Sequence, residues 1–220
     1  MKKIALVLTG CGFKDGTEIR ESVAALWALD TENAETHCFA PDKAQFDVVN
    51  CLTGETEKSQ IRNQLTEAAR IARGKIRPLS ELNPDLYDCL LLPGGFGAAK
   101  NLCSFALNGA KGSVHEELKK IILSMHNSQK PVGAICIAPA ILALAITDKN
   151  IRLTLGSTSE ASVEIEKLGH THIECKTSDC VVDLKHKIVT TPAYMDDDAA
   201  LKDVFTGIHK AVRELLALTT

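Results

Sequence analysis

Pro131-Val132-Gly133-Ala134-Ile135-Cys136-Ile137-Ala138-Pro139 carries a short apolar strand directly into a cysteine, with a helix starting at once behind it. Ala134 and Ala138 flank Cys136 at minus two and plus two. A nucleophile elbow needs small residues there, because strand and helix backbones approach closely around a strained residue. Pro139 suits the first turn of a helix, where no backbone donor is required. A sulfur at that helix N-terminus would meet partial positive charge, which favours the thiolate. The same pattern also fits a structural cysteine buried at a tight strand–helix junction.

Outward from this turn, strands and helices alternate. Lys3–Thr9 (KIALVLT) reads as a strand buried on both faces, ending in Gly10-Cys11-Gly12. Asp15 or Thr17 is expected to cap a helix through about Asp30, with Ile19, Val23, Leu26 and Trp27 as its inward stripe. Thr36–Ala40 is a second strand, Asp47–Cys51 a third short one, and Glu57–Arg73 a helix of mixed charge. Tyr87–Leu92 is another buried strand, stopped by Pro93-Gly94-Gly95. Val114–Asn127 and Pro139–Ala145 read as helices on either side of the Pro131–Ile135 strand. Short strands follow at Leu153–Leu155, Ile173–Cys175, Val181–Asp183 and Ile188–Thr191, and Asp198–Leu218 is a strongly amphipathic helix. This order predicts an α/β fold: a flavodoxin-like three-layer sandwich, its mostly parallel sheet covered by helices on both faces. No repeat or linker interrupts it, so residues 1–220 read as one domain. Ligands of such sheets bind beyond the strand carboxyl ends, which selects the loops Gly10–Thr17, Pro93–Lys100 and Cys136–Pro139.

Bulk properties narrow the function. The chain has 220 residues, 45% apolar and only 4% aromatic, so its core is aliphatic. The net charge of −3 and the lack of a basic patch argue against nucleic acid as a partner. No apolar run approaches the roughly 20 residues that span a bilayer, so no membrane partner is expected. Eight cysteines are scattered without a C-x-x-C pair or zinc spacing, so no metal is expected. Free thiols and no export signal suggest a reducing compartment, taken here as the cytoplasm.

Around Cys136, other residues become candidates. Gly94 and Gly95 free the backbone after a buried strand, so their N–H groups, with that of Ile137, could stabilise an oxyanion. The spacing is not that of a dinucleotide loop, and an ordinary strand-exit turn stays open. Glu18 and Glu21 share a face of the first helix. They either complement its dipole, or one holds a proton beside the Cys136 sulfur with a raised pKa. His172-Ile173-Glu174 resembles the His-x-Glu half of a cysteine triad.

These residues sit inside longer motifs. Gly10-Cys11-Gly12 with Asp15-Gly16-Thr17-Glu18-Ile19-Arg20-Glu21, Cys38-Phe39-Ala40-Pro41-Asp42, Glu67-Ala68-Ala69-Arg70-Ile71-Ala72-Arg73-Gly74, Pro93 through Leu102, Cys136–Pro139 and Thr190-Thr191-Pro192-Ala193-Tyr194-Met195 run essentially end to end. On them the chain resembles the lycopene-enhancing (ElbB-like, or sigma cross-reacting) proteins of the PfpI-like, class I glutamine amidotransferase-like superfamily. The resemblance implies a homodimer, a link to isoprenoid biosynthesis, and cofactor-free glyoxalase activity on glyoxal or methylglyoxal. It also implies that Cys136 is the nucleophile and that Glu21, rather than Glu18, is the catalytic glutamate.

The chain departs from its wider superfamily in two places. PfpI-type peptidases carry His directly after the nucleophile, where this chain has Ile137; that speaks against a peptidase. Glutaminases carry a late His-x-Glu, where this chain has Pro192-Ala193-Tyr194. Two further readings remain: a thiol redox sensor or regulator using Cys136 with Cys11 as its neighbour, and a glutaminase.

Overall fold

A computed structural model describes residues 1–219. Its main sheet has seven strands in the order β3-β2-β1-β4-β5-β9-β8. They are β1 (Lys3–Val7), β2 (Glu35–Ala40), β3 (Ile76–Pro78), β4 (Cys89–Leu92), β5 (Val132–Ile135), β8 (Val181–Asp183) and β9 (Ile188–Thr191). All neighbours are parallel except β8 and β9. Two short strands, β6 (Arg152–Leu153) and β7 (Thr171–His172), pair separately. The helices are α1 (Ile19–Thr31), α2 (Gln64–Ile71), α3 (Phe105–Asn108), α4 (Glu116–Asn127), α5 (Pro139–Ala145), α6 (Glu160–Lys167) and α7 (Leu201–Ala217). This is the flavodoxin-like three-layer α/β arrangement expected.

The strands are apolar throughout because both faces are covered. Along β1, Ala5 and Val7 join the core under α4 and α5, while Ile4 and Leu6 join the core under α1 and α7. The same alternation holds in β4, with Leu90 and Leu92 on the first side and Cys89 and Leu91 on the second. That is the period of two of a pleated strand, hidden in the sequence because neither set faces water. The chain steps from β1 to β2 on one side and returns to β4 on the other. The carboxyl ends of β1 and β4 therefore diverge at a switch point, with β5 next to it.

Several local expectations change. Helix α1 turns a different face inward: Glu21, Ser22, Ala24, Ala25, Ala28 and Leu29 are buried, whereas Ile19, Val23 and Trp27 face solvent. Small alanines allow a close approach to the sheet, so the large residues of this run were a misleading guide to its inner face. The cap is neither Asp15 nor Thr17. Asp15 is buried, accepting from the Val49 N–H at 2.9 Å, and the Thr17 hydroxyl accepts from the Thr9 N–H at 2.6 Å. Glu18 is the N-cap, its carboxylate accepting from the Glu21 N–H at 2.6 Å.

Residues 57–63 stay out of α2, which starts where the Asn63 side chain accepts from the Thr66 N–H. Asp47–Cys51 forms no strand; Val49 makes a lone bridge to Thr56, and the sheet edge is β3 instead.

Helix α7 crosses the sheet closely at Gly207. A Cβ there would overlap the Thr177 carbonyl and stand 3.0 Å from Thr191 Oγ1. The Thr177 oxygen is backbone and cannot swing aside. Gly207→Ala is expected to lower stability by about 1–3 kcal/mol, the usual cost of overpacking. Urea unfolding measures it; an unchanged midpoint would contradict the close crossing.

Candidate active site

Cys136 occupies the left-handed region, with φ 59°. A β-carbon there costs of order 1–3 kcal/mol, which the surrounding structure must hold in place. Here the strand does so: the Cys136 N–H donates to the Thr191 carbonyl at 2.9 Å, extending the β5–β9 ladder through the turn. The sharp turn leaves the sulfur at the floor of a cleft of about 930 Å³, with Cys136 only 7% exposed.

Glu21 reaches this sulfur from the first turn of α1. Its carboxyl is fully buried and lies beside the Cys136 side chain, whose thiol its charge pushes up. Its two oxygens also accept from backbone: Oε2 from the Gly94 N–H at 3.0 Å and Oε1 from the Tyr194 N–H at 3.3 Å. Three segments distant in sequence thus converge on one carboxyl group.

The glycine turn after β4 is what lets them meet. A Cβ on Gly94 would lie 2.5 Å from the Cys136 Cβ and 2.7 Å from Glu21 Oε2. Gly95 has φ 91°, and a Cβ on it would strike the Gly16–Glu18 backbone. The two loops are joined by Glu18 N–H to Gly94 carbonyl, Phe96 N–H to Phe13 carbonyl and Gly97 N–H to Gly16 carbonyl, at 2.8–3.0 Å.

One expectation fails here. The Gly94 N–H is committed to Glu21 and is not free to hold an oxyanion. The Gly95 and Ile137 N–H groups both favour the Cys136 thiolate, which makes them the donors for an oxygen formed beside that sulfur.

The electrostatics differ from the sequence expectation of an easily formed thiolate. Burial, followed by the charge of Glu18, pushes the Glu21 carboxyl up to about 8. Burial and then the Glu21 charge push the Cys136 thiol well above its ordinary value, with the Gly95 and Ile137 N–H groups opposing. The N-terminus of a seven-residue helix is outweighed by desolvation and by an adjacent carboxylate. Two negative charges in contact inside apolar walls are strongly disfavoured, so the pair titrates as a unit. A protonated Glu21 can donate to a thiolate, and a Glu21 carboxylate can accept from a thiol.

The other candidates lie elsewhere. His172 sits in β7, is not among the cleft-lining residues, and its Nε2 is buried without a hydrogen-bond partner. Glu174 does not orient it, but accepts from the Thr158 N–H and hydroxyl at 3.2 and 2.8 Å. Cys11 faces Glu67 and Arg70 on α2, where burial raises its thiol, and it too is absent from the cleft lining. Glu18 lines the cleft but serves as the helix cap.

The sequence reading assigned no role to Tyr194. Its backbone holds Glu21, its hydroxyl accepts from Arg20 at 3.1 Å, and it lines the cleft. Only the close approach of two segments 173 positions apart reveals it. No histidine lines the cleft, and no group of three or more His, Cys, Asp or Glu is placed to hold a metal among the described residues.

Comparison with known proteins identifies the family and bears out the fold. Residues 5–203 match the DJ-1/PfpI family. The ES1 protein homolog, mitochondrial, of Rattus norvegicus is 40% identical over 99% of this chain and 84% of its own length. The human glutamine amidotransferase-like class 1 domain-containing protein 3, mitochondrial, is 40% identical over 99% of this chain and 83% of its own. A solved isoprenoid biosynthesis protein with amidotransferase-like domain from Ehrlichia chaffeensis is 34% identical, with a TM-score of 0.92 and full coverage of both chains. Glyoxalase III from Candida albicans shares the fold at a TM-score of 0.63 and 16% identity, over 100% of this chain and 98% of that one.

The rat and human relatives are mitochondrial, which overturns the cytoplasmic expectation. That expectation rested on reduced thiols, and a reduced thiol does not distinguish one reducing compartment from another.

Glu21 makes stability depend on pH. Its folded pKa of about 8 exceeds its ordinary 4.5, so the folded state holds a proton that the unfolded chain has lost. This stabilisation is full below pH 4.5 and is lost as pH rises through 8. Within the window, stability should fall by up to about 1.4 kcal/mol per pH unit from this group. Glu21→Gln is expected to remove that slope, read from urea unfolding across the window; an identical slope in the variant would show that Glu21 does not bind the proton.

Proposed function

The chain belongs to the DJ-1/PfpI family, and on that premise we propose that it is a cofactor-free glyoxalase converting glyoxal or methylglyoxal to the hydroxy acid. The observation that carries the reading is the placement of a buried Glu21 carboxyl beside the Cys136 side chain, both packed against Gly94, with burial raising the Glu21 pKa to about 8. This is a nucleophile paired with a carboxyl poised to gain and lose a proton near neutrality.

The sulfur adds to the aldehyde carbon. Its proton passes to the Glu21 carboxylate or, from the alternative form of the pair, the thiolate attacks beside the carboxylic acid. The Gly95 and Ile137 N–H groups hold the resulting hemithioacetal oxygen. Glu21 gives its proton to that oxygen, and the carboxylate so formed removes the proton from the former aldehyde carbon and returns it to the neighbouring carbonyl carbon through an enediol, while the hydroxyl proton moves from the first oxygen to the second. The first carbon is oxidised and the second reduced, so no external electron carrier is needed. Water hydrolyses the thioester, freeing the 2-hydroxy acid and restoring the thiol.

A glutaminase fits less well. The cleft has no histidine in the place of the late His-x-Glu that glutaminases carry. For a redox sensor built on Cys136, Cys11 as its neighbour is not supported, because Cys11 faces α2 rather than the cleft. A part in isoprenoid biosynthesis, the description borne by the Ehrlichia protein, belongs to the same proposal.

The reading includes a homodimer. Its support is the solvent-facing stripe of Ile19, Val23 and Trp27 on α1, beside Phe205 of α7, whose ring centroid lies 5.9 Å from that of Trp27. Val23→Glu should convert dimer to monomer in sedimentation; a wild-type monomer at micromolar concentration would refute this part alone.

Lactate formed from methylglyoxal tests the reaction. Cys136→Ala should abolish it, and Glu21→Gln should lower kcat by a factor on the order of 10²–10⁴, the range for losing a positioned acid–base group. Equal lactate formation by wild type and Cys136→Ala would end the proposal.

A further inference from the structure

The cleft above Cys136 is far larger than a three-carbon aldehyde requires. Its volume of about 930 Å³ lies within the range of about 300–1,000 Å³ that suits drug-sized ligands. Four of the large apolar side chains that this protein leaves exposed lie on its walls: Phe13, Phe96, Leu107 and Val163, each 43–56% exposed. They come from the loop after β1, the loop after β4, α3 and α6. No single element's amphipathicity brings them together; the cleft does. Solvent-facing apolar groups gathered from four segments mark a binding surface.

Charge narrows the occupant further. The lining contains four carboxylates, Glu18, Glu160, Glu164 and Asp197, and one cation, Lys167. Lys167 is already ion-paired with Glu164. An anionic substrate would find no unpaired cation there and would be repelled by the rim.

The reactive end of the occupant is set by the sulfur at the floor. A carbonyl carbon must reach Cys136, so the remainder of the molecule lies along the apolar walls. We propose that the substrate is an uncharged α-oxoaldehyde bearing an aryl or extended alkyl substituent, and that methylglyoxal is a minimal surrogate. This rests on the glyoxalase reading above and specifies its substrate class. The chemistry is unchanged and balanced: one water is consumed, the aldehyde carbon becomes the carboxylate and the ketone carbon becomes the carbinol. The product is an anion, so the acidic rim that tolerates the neutral substrate favours release of the acid.

Phenylglyoxal, methylglyoxal and 4-carboxyphenylglyoxal separate size from charge, with the full-length protein as enzyme. The expected kcat/KM for phenylglyoxal exceeds that for methylglyoxal by roughly tenfold or more, the discrimination that added apolar contacts afford. The carboxylated analogue should fall at least tenfold below phenylglyoxal. Phe96→Ser and Leu107→Ser should each move the phenylglyoxal-to-methylglyoxal ratio toward one. Turnover of methylglyoxal with a wild-type ratio of one or less overturns the substrate class and leaves the glyoxalase reading standing. Equal turnover of the carboxylated analogue overturns the charge argument.

Turnover of none of the three defeats the glyoxalase reading itself. The class of occupant is then decided by whether acetophenone slows alkylation of Cys136 by iodoacetamide, followed by mass spectrometry. Protection supports an apolar aryl ketone in the cleft, and its absence overturns the assignment.

Discussion

The contact between a buried carboxyl and a buried thiol organises this molecule's carboxyl-end face. Glu21 is removed from water, receives backbone N–H groups from two distant turns, and touches Cys136. An isolated carboxylate in such a place would be costly, and the protein answers by raising its pKa. The arrangement needs β1, β4 and β5 side by side, so that the loops leaving them share one edge. It also needs glycine at 94, where a side chain would collide with both partners at once. The strained backbone of Cys136, left-handed at the strand's end, belongs to the same turn.

Burial raises the thiol at Cys38, Cys103 and Cys136 alike, and the surroundings then differ. At Cys38 and Cys103 it pushes the thiol to about 11 and about 12, with no carboxyl, donor pair or cleft beside them, and these behave as small core residues. At Cys136 burial comes with a proton-exchanging neighbour, two N–H donors and an opening to solvent. Reactivity here is therefore a property of surroundings. Ease of ionisation alone would not single this cysteine out.

The same edge of the sheet combines a strongly polar floor with apolar walls. At the floor, both Glu21 oxygens accept from backbone N–H groups. The walls come from loops and short helices, with their large side chains turned outward. Relatives that share the fold at low identity can keep such a floor and vary the walls, because the walls lie on connections rather than on strands.

Much of this was legible in the linear chain. Apolar strands bounded by glycine and proline, alternating with helices, required a covered parallel sheet, and Val132–Pro139 required a tight turn with Cys136 at its apex. These signals are local, arising from neighbours within a few residues. What the chain alone left open were matters of spatial convergence. Glu18 and Glu21 are chemically alike and three positions apart; only packing of α1 against the sheet made one a cap and the other the partner of the sulfur. Gly94 and Gly95 are adjacent, yet the first donates its N–H to the carboxyl while the N–H of the second favours the Cys136 thiolate. His172 looked like a triad member by sequence spacing and was carried away by β7, while Tyr194 was brought in from near the far end. Periodicity and turn chemistry act over a few residues and so determine elements; which side chains meet depends on how distant elements share buried space, and that is decided only when the whole sheet is assembled.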